Sequence, residues 1–301
     1  MELRTLRAFV EVVRQGGFSQ AGKVVFATQP TISKAVKQLE DELGLPLLDR
    51  VGHRSQPTEA GEIVYRRALT MLAARDDLVA ELDELRGMKR GVLRLGLPPL
   101  GSSTLFAPLF AIYRSRYPGV EIRLVEHGSQ DLEQILLAGE VEVAAMLLPV
   151  APELAWQDVR IEPLMALLPS DHALAKAEKV NLTDLGASPF ILFHQGFAIN
   201  RLILGACERR GFTPTIAARS SQVDFIVELV AVGLGIAFLP RAMAEHRYHP
   251  SVRAVLLDEA QIEWHMALVW RRGGYLSHAA QAWLALAREG HSADGADGVS
   301  S

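Results

Sequence analysis

The stretch Ser19-Gln-Ala-Gly-Lys-Val-Val-Phe-Ala-Thr-Gln-Pro-Thr-Ile-Ser-Lys-Ala-Val-Lys-Gln-Leu-Glu-Asp-Glu-Leu43 decides the reading of this chain. It divides into two helices broken at Phe26-Ala27-Thr28. In the second, Ile32, Ala35, Val36, Leu39 and Leu43 recur at steps of three and four and form one apolar stripe. Thr28 can cap that helix through its hydroxyl, Pro30 falls where a missing N–H is harmless, and Gly44 follows as a terminator. The opposite face carries Gln29, Thr31, Ser33, Lys34 and Lys37. Gln can pair with adenine through two hydrogen bonds, Ser suits several base edges, and Lys suits guanine or phosphate. Taken alone, the helix equally fits an ordinary amphipathic surface helix.

The flanking residues favour a DNA reader. Leu3, Leu6, Phe9, Val10 and Val13 give an earlier helix its apolar face, closed by Gly16-Gly17. Ser19 can cap the next helix, in which Ala21 and Gly22 are small enough for a close helix crossing. Beyond Gly44, Leu45 to Thr58 is a short extended stretch with a Gly turn. Its Arg50, His53 and Arg54 suit phosphates or the minor groove. Three helices and a basic hairpin make a winged helix-turn-helix, with the helix-turn-helix at about 18–37.

The phrases Leu6-Arg7-x-Phe9, Gly17-Phe18-Ser19-x-Ala21, Gln29-Pro30-x-x-Ser33, Leu39-Glu40-x-x-Leu43-Gly44, Leu47-x-x-Arg50 and Thr58-x-Ala60-Gly61 resemble the N-terminal signature of LysR-type transcriptional regulators. The resemblance implies that Gln29, Pro30, Ser33 and Lys34 face base edges and that the wing cations meet the DNA backbone. Several positions depart from the family pattern: Ser is usual where Thr28 stands, Ala at Gly22, Phe at Leu48, Arg at His53 and Leu at Pro57. Thr28 keeps the hydroxyl, whereas Gly22 should loosen its helix by about 1 kcal/mol relative to Ala.

Composition fits this reading. The chain has 301 residues, enough for about two domains. Its net charge of −4 excludes a generally basic nucleic-acid coat, although residues 1–58 hold eight Lys/Arg against six Asp/Glu. The single cysteine, Cys207, excludes an internal disulfide, fits a reducing cytoplasm and reads as a core residue. No signal segment or membrane-length apolar run is present, so a cytoplasmic protein is expected.

Residues 59–88 read as a long linker helix and hinge. Ile63, Val64, Leu69, Leu72, Leu78, Val79, Leu82 and Leu85 lie among many charges, and the helix would span about 40 Å. Such a stripe suits pairing with a second copy, giving a dimer that matches a two-half DNA site. Packing on its own domain is the other reading. The hinge is Arg86 to Gly91.

Residues 89–301 alternate strands and helices, implying βαβ units and a parallel sheet. The fold class is thus α/β behind an N-terminal all-α winged helix-turn-helix. Leu164 to Pro169, Asp171-His172-Ala173-Leu174 and Leu229-Val-Ala-x-Gly233-Leu-Gly235, followed by Leu239-Pro240, are similar to the effector domain of the same family. That resemblance implies two lobes like those of periplasmic binding proteins. Lobe I would be 89–161 and 268–290, lobe II 162–267, and 291–301 a disordered tail.

Ligands of open α/β sheets sit beyond strand carboxyl ends, at helix starts. Gly101, Ser102, Ser103, Thr104 and Ser129 there suit a carboxylate or other oxyanion; a plain helix cap is the other reading of Ser102 and Ser129, and for Ser129 it fits equally. Pro149 follows another strand end at Leu148, and His194, Phe197 and Val223 join them chiefly through the family resemblance. No catalytic or metal-binding constellation is recognisable: His246-x-x-His249 has no supporting ligands, and Gly233-Leu-Gly235 lacks the rest of a dinucleotide fingerprint. No cofactor is expected. The expected function is effector-controlled, sequence-specific DNA binding, with promoter DNA, an anionic small molecule, a second copy and RNA polymerase as partners and no membrane. The alternative is a solute-binding or enzymatic protein on the same scaffold, with an N-terminal interaction module.

Overall fold

In the N-terminal part, three helices follow one another because their apolar residues recur on one side and their ends carry helix stops. They are α1 (Leu3–Gln15), α2 (Phe18–Val24) and α3 (Gln29–Leu43). A two-stranded wing follows, β1 (Leu48–Val51) antiparallel to β2 (Arg54–Pro57), then the long α4 (Glu59–Leu85). The structure is a computed structural model describing residues 1–51, 54–85, 91–259 and 262–294. His53, the hinge residues 86–90 and the tail 295–301 lie outside the described residues. The chain divides into two compact units, one built on Met1–Met88 and the other on Lys89–Leu136 and Val141–Ser301.

The first unit's core joins Leu6, Phe9, Val10 and Val12 of α1 to Ile32, Val36 and Leu39 of α3 and to Leu47 before the wing. Leu43, expected in the buried stripe, is 39% exposed, because the chain turns away at Gly44. Gly44 adopts φ +71 and donates to Glu40 O at 2.8 Å, as a helix terminator should. The Glu40 carboxylate reaches onward, accepting Leu47 N at 2.8 Å and Leu48 N at 3.3 Å, and so ties α3 to the wing. Ser19 does not cap α2, which begins a residue earlier behind Gly17. Gly22 is more than a weak point: a Cβ there would stand 2.7 Å from Ala27 O, so the turn needs the small residue.

The first half of α4 buries Ala68 and Leu69 in the same core. Further along, Leu78, Val79 and Leu82 are exposed, as are Ile63 and Met71 on the earlier turns. The start of the helix thus packs on its own unit, while Leu78, Val79 and Leu82 further along are exposed.

The second unit opens with β3 (Val92–Leu97), α5 (Ser102–Leu105), α6 (Ala107–Arg116), β4 (Glu121–Glu126), α7 (Ser129–Leu137) and β5 (Val143–Leu147). Strands β4, β3 and β5 pair in parallel, as the βαβ pattern predicts. The long β6 (Leu154–Pro169) then leads to β7 (Lys179–Val180), β8 (Phe190–Phe193), α8 (Ala198–Arg209), β9 (Ile216–Ser220) and α9 (Val223–Ala231). Finally come β10 (Ala237–Pro240), α10 (Arg241–Glu245), β11 (Val252–Leu257), β12 (Glu263–Arg271) and α11 (His278–Asp294).

Strand β12 lies antiparallel between β5 and β6, while the far half of β6 pairs with β10 and β11. Strands β6 and β12 connect the lobes, and the register of β12 on β6 shifts between Met266 and Ala267. The expected tail at 291–301 begins too early: α11 continues through Asp294, since His291-Ser-Ala-Asp294 contains no helix breaker after Gly290. Cys207 sits on α8 in the core, and burial pushes its thiol up to about 11, so it stays protonated at neutral pH. Among the described residues no helix is long and apolar enough to cross a membrane.

Candidate functional site

Two places carry the residues singled out by sequence. On α3, Thr28 accepts the Thr31 amide at 3.4 Å and shares a 2.8 Å hydrogen bond with the Thr31 hydroxyl. The cap fixes where the helix begins, and with it the direction of its first turn. Gln29, Pro30, Thr31, Lys34 and Lys37 are exposed there and Ser33 is half-buried, while Ile32, Val36 and Leu39 point into the core. This separation of faces presents amide, hydroxyl and ammonium groups outward from a rigid rod, the arrangement that reads base edges in a major groove. The wing backbone pairs Arg50 with Ser55 and Val51 with Arg54, and Ser55 N is bonded to Gly16 O at 3.2 Å, which joins the wing to the end of α1.

The turn before α3 contains an outlier that the sequence did not flag. Phe26 has φ +54 and is 97% exposed. A bulky residue held left-handed costs about 1–2 kcal/mol, and its ring recovers little from packing here. Asn tolerates this backbone, so Phe26→Asn is expected to stabilise the first unit by about 1 kcal/mol, read as a higher denaturation midpoint of the native fold. An unchanged or lower midpoint would contradict the strain argument.

In the second unit, a recess is lined by Pro98 and Leu100 after β3, Ser129 at the start of α7, Leu147 on β5, Phe197 before α8, and Trp264 and Met266 on β12. Of the residues expected to bind an effector, Ser129 and Phe197 are on its wall. Phe197 stacks on Phe193 with ring centres 5.1 Å apart. Gly101 stands behind the wall with φ +98, where a Cβ would meet Trp264 Cη2 and Met243 Cε at 2.9 Å each, so glycine there seats the indole.

The others stand apart from this wall. The Ser102 hydroxyl donates to Pro98 O, Ser103 is exposed and Thr104 half-buried. Their helix, α5, has only four residues, too few aligned peptides for the anion-attracting N-terminus that the sequence suggested. Pro149 and His194 are exposed, and Val223 is half-buried at the first turn of α9.

Sequence reading missed Trp264 and Asn200. Asn200 is 7% exposed; its Oδ1 accepts Phe193 N at 3.2 Å, and its Nδ2 donates to Phe193 O at 2.9 Å and His194 O at 3.0 Å. It thereby fixes the loop 194–197 that carries Phe197. Only a polar residue placed one turn into an apolar helix could have signalled it.

Comparison with known proteins is consistent along the whole chain. Residues 3–62 match the family model described as bacterial regulatory helix-turn-helix protein, lysR family, and residues 86–292 match the LysR substrate binding domain. An uncharacterized HTH-type transcriptional regulator of Bacillus subtilis, YwbI, is 35% identical over 94% of this chain and 95% of its own. HinK, a LysR family transcriptional regulator from Pseudomonas aeruginosa, superimposes with TM-score 0.59 at 27% identity, over 96% of this chain and 98% of its own. CbnR in complex with its target DNA shares the fold, with TM-score 0.55 and 20% identity over 96% of this chain and 99% of that one.

Proposed function

The chain belongs to the LysR family of DNA-binding transcriptional regulators with an effector-binding domain, and from that premise we propose how its own residues divide the work. Gln29, Pro30, Thr31, Ser33, Lys34 and Lys37 read promoter bases, with Thr28 setting the helix start. Arg50, His53 and Arg54 hold the DNA backbone. A small organic anion bound in the second unit controls that reading by changing lobe closure. Two chains pair through the exposed residues of α4 and place two readers on a two-half site, with further association to a tetramer available to such pairs. RNA polymerase is a further partner, the protein works in the cytoplasm, and it turns over no substrate.

The observation that carries this reading is the division of α3 into a buried apolar side and an exposed polar side behind a Thr28 cap. The test is a gel-shift on the DNA upstream of the protein's own coding sequence, at two salt concentrations, with scrambled competitor. Specific binding that weakens with salt is expected. Gln29→Ala should then cost about 1–3 kcal/mol on the specific site, roughly ten- to hundredfold, and leave scrambled DNA unaffected. Equal loss on both DNAs would remove Gln29 from base reading.

A further inference from the structure

One residue of the recess wall holds a buried hydrogen-bond donor that the protein leaves unanswered. Trp264 is 1% exposed, and its indole Nε1 is buried without an acceptor. Ser129, 6% exposed, lines the same recess and brings a hydroxyl to its wall. A buried donor without a partner is destabilising, and folded chains seldom retain one without a use for it. Trp283 Nε1 is also unanswered, but that ring is packed among Phe106, Phe110 and Tyr113, whereas Trp264 lines the recess.

The indole has little freedom to seek an acceptor elsewhere. Gly101 packs against it so closely that a Cβ would stand 2.9 Å from Cη2 and 3.0 Å from Cζ2. The Trp264 backbone is fixed opposite Glu162 in the β12–β6 register. The remaining wall is apolar, and no Lys, Arg or His lines the recess. A ligand with several negative charges would find no counter-charge there and would lose its hydration uncompensated.

We propose that Trp264 Nε1 and the Ser129 hydroxyl are the polar anchors of the effector. The effector is then a compact, mainly apolar molecule that presents one acceptor group and carries at most a single negative charge, as a monocarboxylate does. This deepens, and rests on, the reading of the second unit as an effector-binding domain. The recess has a volume of about 10 Å³, room for about one water. Entry of a larger molecule therefore requires the 194–197 loop to withdraw. The loop's backbone comes close to the start of α7: a Cβ on Gly128 would stand 3.0 Å from Gly196 O.

The test uses the full chain labelled with nitrogen-15 in its indoles and titrated with propionate, butyrate and phenylacetate, against succinate and citrate. The Trp264 signal is identified by its loss in Trp264→Phe. A saturable downfield move of that signal with at least one monocarboxylate, and none with citrate, is expected. Trp264→Phe and Ser129→Ala, each checked for native melting, should weaken that ligand at least tenfold. The proposal is overturned if no monocarboxylate moves the signal, if succinate or citrate moves it more, or if both variants bind as the native chain does. A gel-shift on the same samples separates the two readings: retained specific DNA binding without the indole response defeats this inference alone. Absent DNA binding defeats the regulatory reading, whatever the indole does.

Discussion

Gly61→Ala is expected to destabilise the N-terminal unit strongly and to weaken specific DNA binding. In a free helix the same change would stabilise, by about 1 kcal/mol. Here Gly61 lies in the first turn of α4, and a Cβ would stand 2.0 Å from Leu47 O, 3.0 Å from Leu47 C and 3.2 Å from Pro57 Cβ. The nearest obstacle is backbone and cannot rotate away. Leu47 is fully buried, and its carbonyl accepts Thr58 N at 3.0 Å. The Thr58 hydroxyl in turn donates to Pro46 O at 2.8 Å and accepts Gly61 N at 3.0 Å. Moving Leu47 O thus disturbs both the cap of α4 and the strand that Glu40 ties to α3. A loss of about 3 kcal/mol is expected, at the upper end for overpacking a core and a large part of a small unit's stability. Chemical denaturation followed through the first unit, with a gel-shift alongside, reads it; native-like melting with full DNA binding would refute the contact.

Asn200→Ala carries the second large effect. It removes the amide that holds Phe193 N, Phe193 O and His194 O from within a buried site. The two carbonyls keep weaker company, since Arg219 Nη1 reaches Phe193 O at 3.3 Å and Phe197 N reaches His194 O at 3.4 Å. Phe193 N keeps no such substitute side chain. The expected loss is about 3 kcal/mol in the second unit, with the 194–197 loop released and the effector response weakened. Asn200→Asp keeps the acceptor for Phe193 N but sets a buried carboxylate oxygen against the carbonyls of Phe193 and His194, and should lose at least as much as Asn200→Ala. Urea denaturation of both variants checks the order; equal stability of Asn200→Ala and the native chain would show that the loop is held by packing alone.

Neither effect is visible in local sequence. Gly61 looks like an ordinary small residue early in a helix, and Asn200 like a stray polar residue in an apolar one. What could be read from sequence was set within a few residues: the caps at Thr28 and Gly44, the periods of α1 and α3, and the parallel order of β3, β4 and β5. Those features depend on hydrogen bonds and faces repeated every turn or every second residue, so neighbouring residues suffice to reveal them.

The recess shows the opposite case. Of the hydroxyls the sequence suggests for it, Ser129 lines the recess but Ser102 to Thr104 do not: the Ser102 hydroxyl turns back onto Pro98 O and α5 stops after one turn. Trp264 reaches the wall because β12 returns between β5 and β6 after more than a hundred residues, and only then does it stand beside Ser129. The β11 strand and the first half of β6 were likewise unread, since their place in the sheet comes from distant partners. By itself, then, the sequence determined the reader, its capped helix and the α/β pattern behind it. The tertiary structure alone decided which glycines are close approaches, which apolar residues of α4 are exposed, and which side chains meet in the recess, because each rests on contacts between segments far apart along the chain.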